Sequence, residues 1–93
     1  MISLGTYQHY KGQQYSVIGF AHHTETKEPM VLYRPLYEVP ELNKQYNHNV
    51  IFARPLTMFN ETICLNAQKV KRFEFIAPPD NNARNDIKST HVD

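Results

Sequence analysis

Histidine, carboxylate and arginine are the side chains from which this 93-residue chain could build chemistry. One stretch, HHTET at residues 22–26, brings the first two together. Glu25 stands two residues after His23, close enough to orient the imidazole or to act as a base. His22 and His23 are neighbours on an expected strand, so they point to opposite faces and do not share one metal. The five histidines, His9, His22, His23, His48 and His91, show no His-x-x-x-His spacing, and the single cysteine excludes Cys-x-x-Cys. A zinc site is therefore not expected, and no metal or cofactor is implied. HHTET also makes good turn chemistry, with Thr24 or Thr26 capping the backbone. That plainer reading needs no substrate.

Arg34 and Arg54 form a second set. Each ends an apolar run and precedes Pro-Leu, in VLYRPLY at 31–37 and IFARPLTMF at 51–59. A guanidinium at a strand end can grip a carboxylate or phosphate through two nitrogens. It can equally pair with Glu25, Glu61 or Glu74 to hold the fold. The six tyrosines, among them Tyr10 and Tyr33, form a third set. Half of them suit a core with the hydroxyl reaching solvent. An exposed group would make a stacking platform for bases or a groove for a peptide. Cys64, within TICLN, reads as inert buried packing. No Ser-His-Asp order, Gly-rich phosphate loop or carboxylate pair stands out.

These residues have to be held by strands. Residues 5–10 and 14–23 read as two strands joined at Lys11-Gly12, where Gly accepts positive φ. In the second, Tyr15, Val17, Gly19 and Ala21 share one face, and Ile18 and Phe20 the other. Apolar residues on both faces point to a closed or sandwiched sheet, and Gly19 marks a bulge or tight bend. A third strand covers 30–37 and a fourth 50–53. Pro35 and Pro55 stop the ladders, because proline has no N–H to donate. Arg-Pro-Leu then ends each strand, turns the chain and sends Leu36 or Leu56 back to the core. After Pro55 a single helical turn is expected to carry Met58 and Phe59 inward. Between these strands lies the polar insertion 38–49. Its Pro40-Glu41 suits a helix start, with Leu42 and Tyr46 on one face. Residues 62–66 and 69–75 read as a terminal hairpin turning at Asn66. The expected fold is mainly β. It is either a small SH3-like barrel or a strongly bent antiparallel sheet of five to six short strands, with at most one or two helical turns. Residues 1–76 form a single small β domain. Residues 77–93, rich in Pro, Asn and Asp, read as a disordered C-terminal tail.

Charge narrows the partners. Residues 1–76 carry eight Lys and Arg against six Asp and Glu, a net +2, and residues 77–93 a net −1. That is too little positive charge for non-specific duplex binding, although a few nucleotides could still be held by stacking. One cysteine allows no internal disulfide and suits a reducing compartment. No stretch has the pattern of a signal peptide or the roughly 20 apolar residues of a membrane span. A soluble cytoplasmic protein without a membrane partner is expected.

The joint order of several pieces resembles the small bacterial family called domain of unknown function 1653. The pieces are GTYQHYKG, YSVIGFAHHTET, VLYRPLY, FARPLTMF with Glu61, and the late RF at 72–73. The resemblance covers residues 5–75. Matching residues are His9, Tyr10, Lys11, Gly12, His22 or His23, Glu25, Tyr33, Arg54, Pro55, Met58 and Phe59. The family usually carries Trp where this chain has Phe52, and a shorter segment in place of 38–49. What the resemblance implies is a compact, mainly β bacterial domain, with no activity attached.

The leading functional expectation is a non-enzymatic binding module. Its binding residues are His23, Glu25, Tyr33, Arg54, Tyr10 and His22, and its partner a protein segment or small ligand, with single-stranded nucleic acid a further possibility. The alternative is a small hydrolase or transferase with His23 and Glu25 as acid and base and Arg54 holding an anion. That alternative requires the three side chains to converge on one cleft. Pairing of a second chain along an edge near Arg34–Tyr37 is a third possibility.

Overall fold

The computed structural model describes residues 2–79. Its strands in chain order are β1 (Gly5–His9), β2 (Gln14–His22), β3 (Pro29–Pro35), β4 (Phe52–Pro55), β5 (Thr62–Leu65), β6 (Gln68–Lys71) and β7 (Phe73–Ala77). Two short helices interrupt them, α1 (Pro40–Tyr46) and α2 (Leu56–Phe59). Five strands form one antiparallel sheet in the order β4-β3-β2-β1-β7, and β5 pairs with β6 as a separate hairpin. The end strands β4 and β7 are not paired with each other. The fold is thus the bent open sheet, and the barrel is not formed. Its edges are β4 and β7, whereas β3 is flanked on both sides over Met30–Tyr33.

The seven strands exceed the five or six expected because 69–75 is not one strand. Arg72 divides it. The Arg72 amide donates to the Glu61 carbonyl at 2.9 Å, and the Arg72 carbonyl accepts from the Tyr10 amide at 3.0 Å. At that residue the chain leaves β5 and crosses to the edge of β1.

The two Arg-Pro-Leu triplets both end strands, β3 at Pro35 and β4 at Pro55. They diverge afterwards. Leu56 opens α2 and packs against the core, while Leu36 is 54% exposed. Of the two apolar residues of α2 expected inside, Phe59 is buried and Met58 is exposed, since a single turn presents only one side to the sheet. In β2 the register shifts between Val17 and Gly19, so that Val17 faces Tyr33 but Phe20 faces Val31. Ile18 is the extra residue of this bulge. The bulge resets the alternation, and Phe20, not Gly19 or Ala21, lies on the side of Val31. The far face remains open rather than sandwiched.

The core is one cluster of Tyr7, Val17, Val31, Tyr33, Phe59 and Phe73, with Ile2, Tyr15, Phe52 and Leu56 packed around it. Helix α1, in the 38–49 insertion, buries none of its own residues. Cys64 is exposed, not packed inside, because its hairpin stands as a two-stranded sheet of its own. That hairpin turns through Asn66 and Ala67, with φ of 51° and 64°. Two central residues of positive φ are the mark of a type I′ turn. Of the expected tail, Ala77 still belongs to β7 opposite Thr6, and residues 80–93 lie outside the described residues. No helix among the described residues is long and apolar enough to cross a membrane.

Two substitutions test this frame. Gly5 has φ of +135°, and a Cβ there would stand 2.3 Å from the Ala77 carbonyl oxygen. Gly5→Ala is expected to part β1 from β7 and to cost about 1–3 kcal/mol in urea denaturation. An unchanged midpoint would refute the close approach. Ala67→Gly relieves a Cβ at positive φ and is expected to protect the hairpin by about 0.5–1 kcal/mol. Slower amide exchange at Ile63 and Val70 would register it, and faster exchange would contradict the turn assignment.

Candidate functional site

The chemistry-bearing side chains gather around one ring. Phe73, at the start of β7, is 4% exposed. Phe59 stacks on it in parallel, with centroids 4.1 Å apart and planes 3° apart. The Arg54 guanidinium lies over the same ring, with Cζ 5.5 Å from the centroid. His9, Tyr33 and Tyr15 meet it edge-on at 4.9, 5.6 and 5.7 Å. Strand pairing explains the gathering. Tyr7 faces Tyr15, His9 faces Phe73, and Phe52 faces Tyr33, and directly opposed residues share a sheet face.

Arg54 donates from Nε to the Tyr33 hydroxyl at 3.2 Å. It forms no ion pair with any carboxylate among the described residues. Glu61, a partner proposed from sequence, is taken by Arg72 at 2.8 Å. Glu74 sits opposite Gln8, between the positions of Phe73 and Phe75, and so faces the other side of the sheet. The Tyr15 and Tyr37 hydroxyls share a hydrogen bond of 2.8 Å. Burial, and then that hydrogen bond, push the Tyr15 phenol well up, so it stays protonated.

His9 is the titratable member. Burial lowers its pKa first, and the positive charges of Arg54, Arg72 and Lys11 lower it further. Its Nδ1 accepts the Lys11 amide at 3.1 Å. The neutral ring then carries its proton on Nε2. Tyr10 lies beside it with ring centroids 4.5 Å apart, and Lys11 Nζ stands 5.8 Å from the Tyr10 ring.

The residues expected from sequence therefore fall into two places. Tyr33 and Arg54 touch, and Tyr10 joins them through His9. His22 ends β2 in an exposed position, and His23 and Glu25 belong to the turn that follows. There the His23 amide donates to the Glu28 carbonyl at 2.9 Å, and the Lys27 amide to the His23 carbonyl at 2.8 Å. His23 Nδ1 accepts the amides of Glu25 and Thr26, both at 3.2 Å. Glu25 Oε1 is 3.8 Å from the same nitrogen. An Nδ1 that accepts two amides has no proton to give a carboxylate. These side chains close a turn, and no hydrogen bond or ion pair joins them to Arg54.

His9, Tyr15, Tyr37, Arg72 and Phe73 are the site members that sequence reasoning did not assign. The β1–β2 loop holds three residues, Tyr10 to Gly12, between His9 and Gln13, which opposes Tyr7 to Tyr15; the two-residue turn read at Lys11-Gly12 would have opposed Tyr7 to Ser16. Nothing in the sequence announces Phe73, whose place depends on the crossing at Arg72. Among the described residues no group of three or more His, Cys, Asp and Glu is placed to hold a metal. Three clefts border the cluster without reaching Arg54, Tyr33 or Tyr15: one of about 400 Å³ bounded by Ile2, Tyr7, Phe59, Phe73 and Phe75, one of about 270 Å³ by His9, Tyr10 and Lys71, and one of about 200 Å³ by Arg34, Tyr37 and His48.

An open, mainly β sheet with a cationic, aromatic face defines the class of this domain. The chain belongs to the family described as protein of unknown function, DUF1653, whose model matches residues 5–75. It is similar to a DUF1653 protein of known crystal structure from Bordetella bronchiseptica, at 30% identity and a TM-score of 0.70. The match covers 85% of this chain and 92% of that one. No curated protein matches significantly.

The lowered His9 pKa sets a sign. Between that value and the ordinary 6.5, the unfolded chain binds a proton that the folded chain refuses. Stability from this group is complete above about 6.5 and is lost as pH falls through the window below it. Thermal midpoints measured from pH 7.5 down to 5 should drop less steeply in His9→Gln than in the parent. Parallel curves would refute the assignment.

Proposed function

We propose that this domain is a non-enzymatic binding module that holds an anionic group at Arg54. The partner is a small ligand or a protein segment carrying that group. What supports the reading is the state of Arg54. Its guanidinium is half-buried, held on Phe73 and tied to Tyr33, yet lacks a carboxylate partner among the described residues. Partial burial of an unpaired charge costs free energy, which an incoming anion would offset. Tyr33 and Tyr10 are retained from the expected binding set, and His9 joins them. The acid–base alternative built on His23, Glu25 and Arg54 gains nothing from this geometry. A bacterial cytoplasmic setting belongs to the same proposal. It is supported by the bacterial source of the similar structure and by the free Cys64, which suits a reducing compartment.

The test is a titration of ¹⁵N-labelled domain with acetate, sulfate and inorganic phosphate at low ionic strength. Shifts are expected at Arg54 Nε, Tyr33 and His9, for whichever anion binds. Arg54→Gln should weaken binding about tenfold or more, the scale of a charge-assisted hydrogen bond. Shifts confined to residues 23–28, or an Arg54→Gln variant that binds like the parent, would overturn the proposal.

A further inference from the structure

We infer that the anion held at Arg54 is the phosphate monoester of a mononucleotide; this rests on the binding reading above and names its ligand. The first argument is the count and kind of polar groups around Phe73. Arg54 spends Nε on Tyr33, and its terminal nitrogens form no ion pair among the described residues. Tyr33 accepts that bond with its oxygen, so its own proton remains to donate. Tyr15 and Tyr37 share one hydrogen bond, which leaves one of their two hydroxyl protons unspent. His9 holds its proton on Nε2, because Nδ1 accepts the Lys11 amide.

These donors come from β1, β2, β3 and β4, with Tyr37 just beyond β3. Arg54, His9, Tyr33 and Tyr15 all lie within 5.7 Å of the Phe73 centroid, and Tyr37 is tied to Tyr15. No carboxylate or side-chain amide is hydrogen-bonded to any of them. A planar carboxylate offers two oxygens. A phosphate monoester offers three terminal oxygens in a tetrahedral spread, which suits a set of four or more donors arriving from different strands.

The second argument is the open ring. Tyr37 is 40% exposed and sits beside the donors through its bond to Tyr15. A base can stack on such a ring irrespective of its sequence identity. The third argument is charge. A net +2 over residues 1–76 and a single guanidinium over the Phe73 ring match one phosphate, not a polymer.

The experiment titrates the ¹⁵N-labelled chain with AMP, adenosine, inorganic phosphate and benzoate at low salt. AMP is expected to bind at least tenfold more tightly than inorganic phosphate, and benzoate and adenosine more weakly than either. Tyr37→Ala should erase the advantage of AMP over inorganic phosphate, whereas Tyr37→Phe, which loses the same hydroxyl but keeps the ring, should preserve it. Tyr33→Phe keeps the ring and removes one donor, and should weaken both. Saturation with AMP should also raise the His9 titration midpoint, read from its Cε1 proton. The groups facing that ring are Arg54 from β4, Arg72 before β7, and Lys11 and Tyr10 from the β1–β2 loop. Benzoate binding as tightly as phosphate would overturn the phosphate assignment while leaving an anion site in place. AMP binding no better than inorganic phosphate would overturn the aromatic subsite. An oligonucleotide binding with a salt dependence of several phosphates would overturn the single-phosphate reading. If none of these anions binds, the anion site itself fails along with this inference.

Discussion

The burial of Phe73 is the constraint on which the rest depends. One ring from the edge strand β7 stacks on Phe59 of α2, receives the edges of His9, Tyr15 and Tyr33, and carries the Arg54 guanidinium. It therefore joins the helix, four strands and the charged group through one side chain. Packing of this density is unforgiving, since removing a buried phenyl ring typically costs about 3–5 kcal/mol. Here the same loss would also dismantle the face that holds Arg54. Core and candidate site are two sides of one cluster.

How much of this could be read in the sequence follows from how local each cause is. The strand ends at Pro35 and Pro55 were legible because a missing N–H is a property of one residue. The turn at Asn66, the helix start at Pro40 and the bulge beside Gly19 were legible for similar reasons. The fates of Leu36 and Cys64 were not. Both sit in apolar surroundings along the chain, but neither has a partner layer to cover it. The division at Arg72 was hidden too, because it is made by a carbonyl eleven residues earlier and an amide sixty-two residues earlier. The site inherited these limits. Arg54 and Tyr33 were visible as types, while His9 and Phe73 acquire meaning only once β1 and β7 are paired.

The two histidine environments show how local contacts divide similar residues. His23 spends its acceptor nitrogen on the amides of its own turn, with Glu25 beside it. His9 also accepts an amide, from Lys11, but its ring lies on Phe73 and close to two guanidinium groups. The first is explained by the shape of a loop. The second is held neutral in a cationic neighbourhood, where an added negative charge would be welcome.

The edge position of Phe73 has a temporal meaning. Strand β1 waits for β7, because residues 5–9 complete their pairing only with residues 73–77. As the polypeptide emerges from the ribosome, β1, β2 and β3 can meet early through short hairpins. Tyr7, Tyr15 and Tyr33 then remain without the ring that unites them until residue 73 has been made. Contacts of such long sequence separation slow folding and leave apolar surface exposed meanwhile. The domain therefore closes only once residue 73 has been made, and until then the nascent chain keeps its aromatic face uncovered.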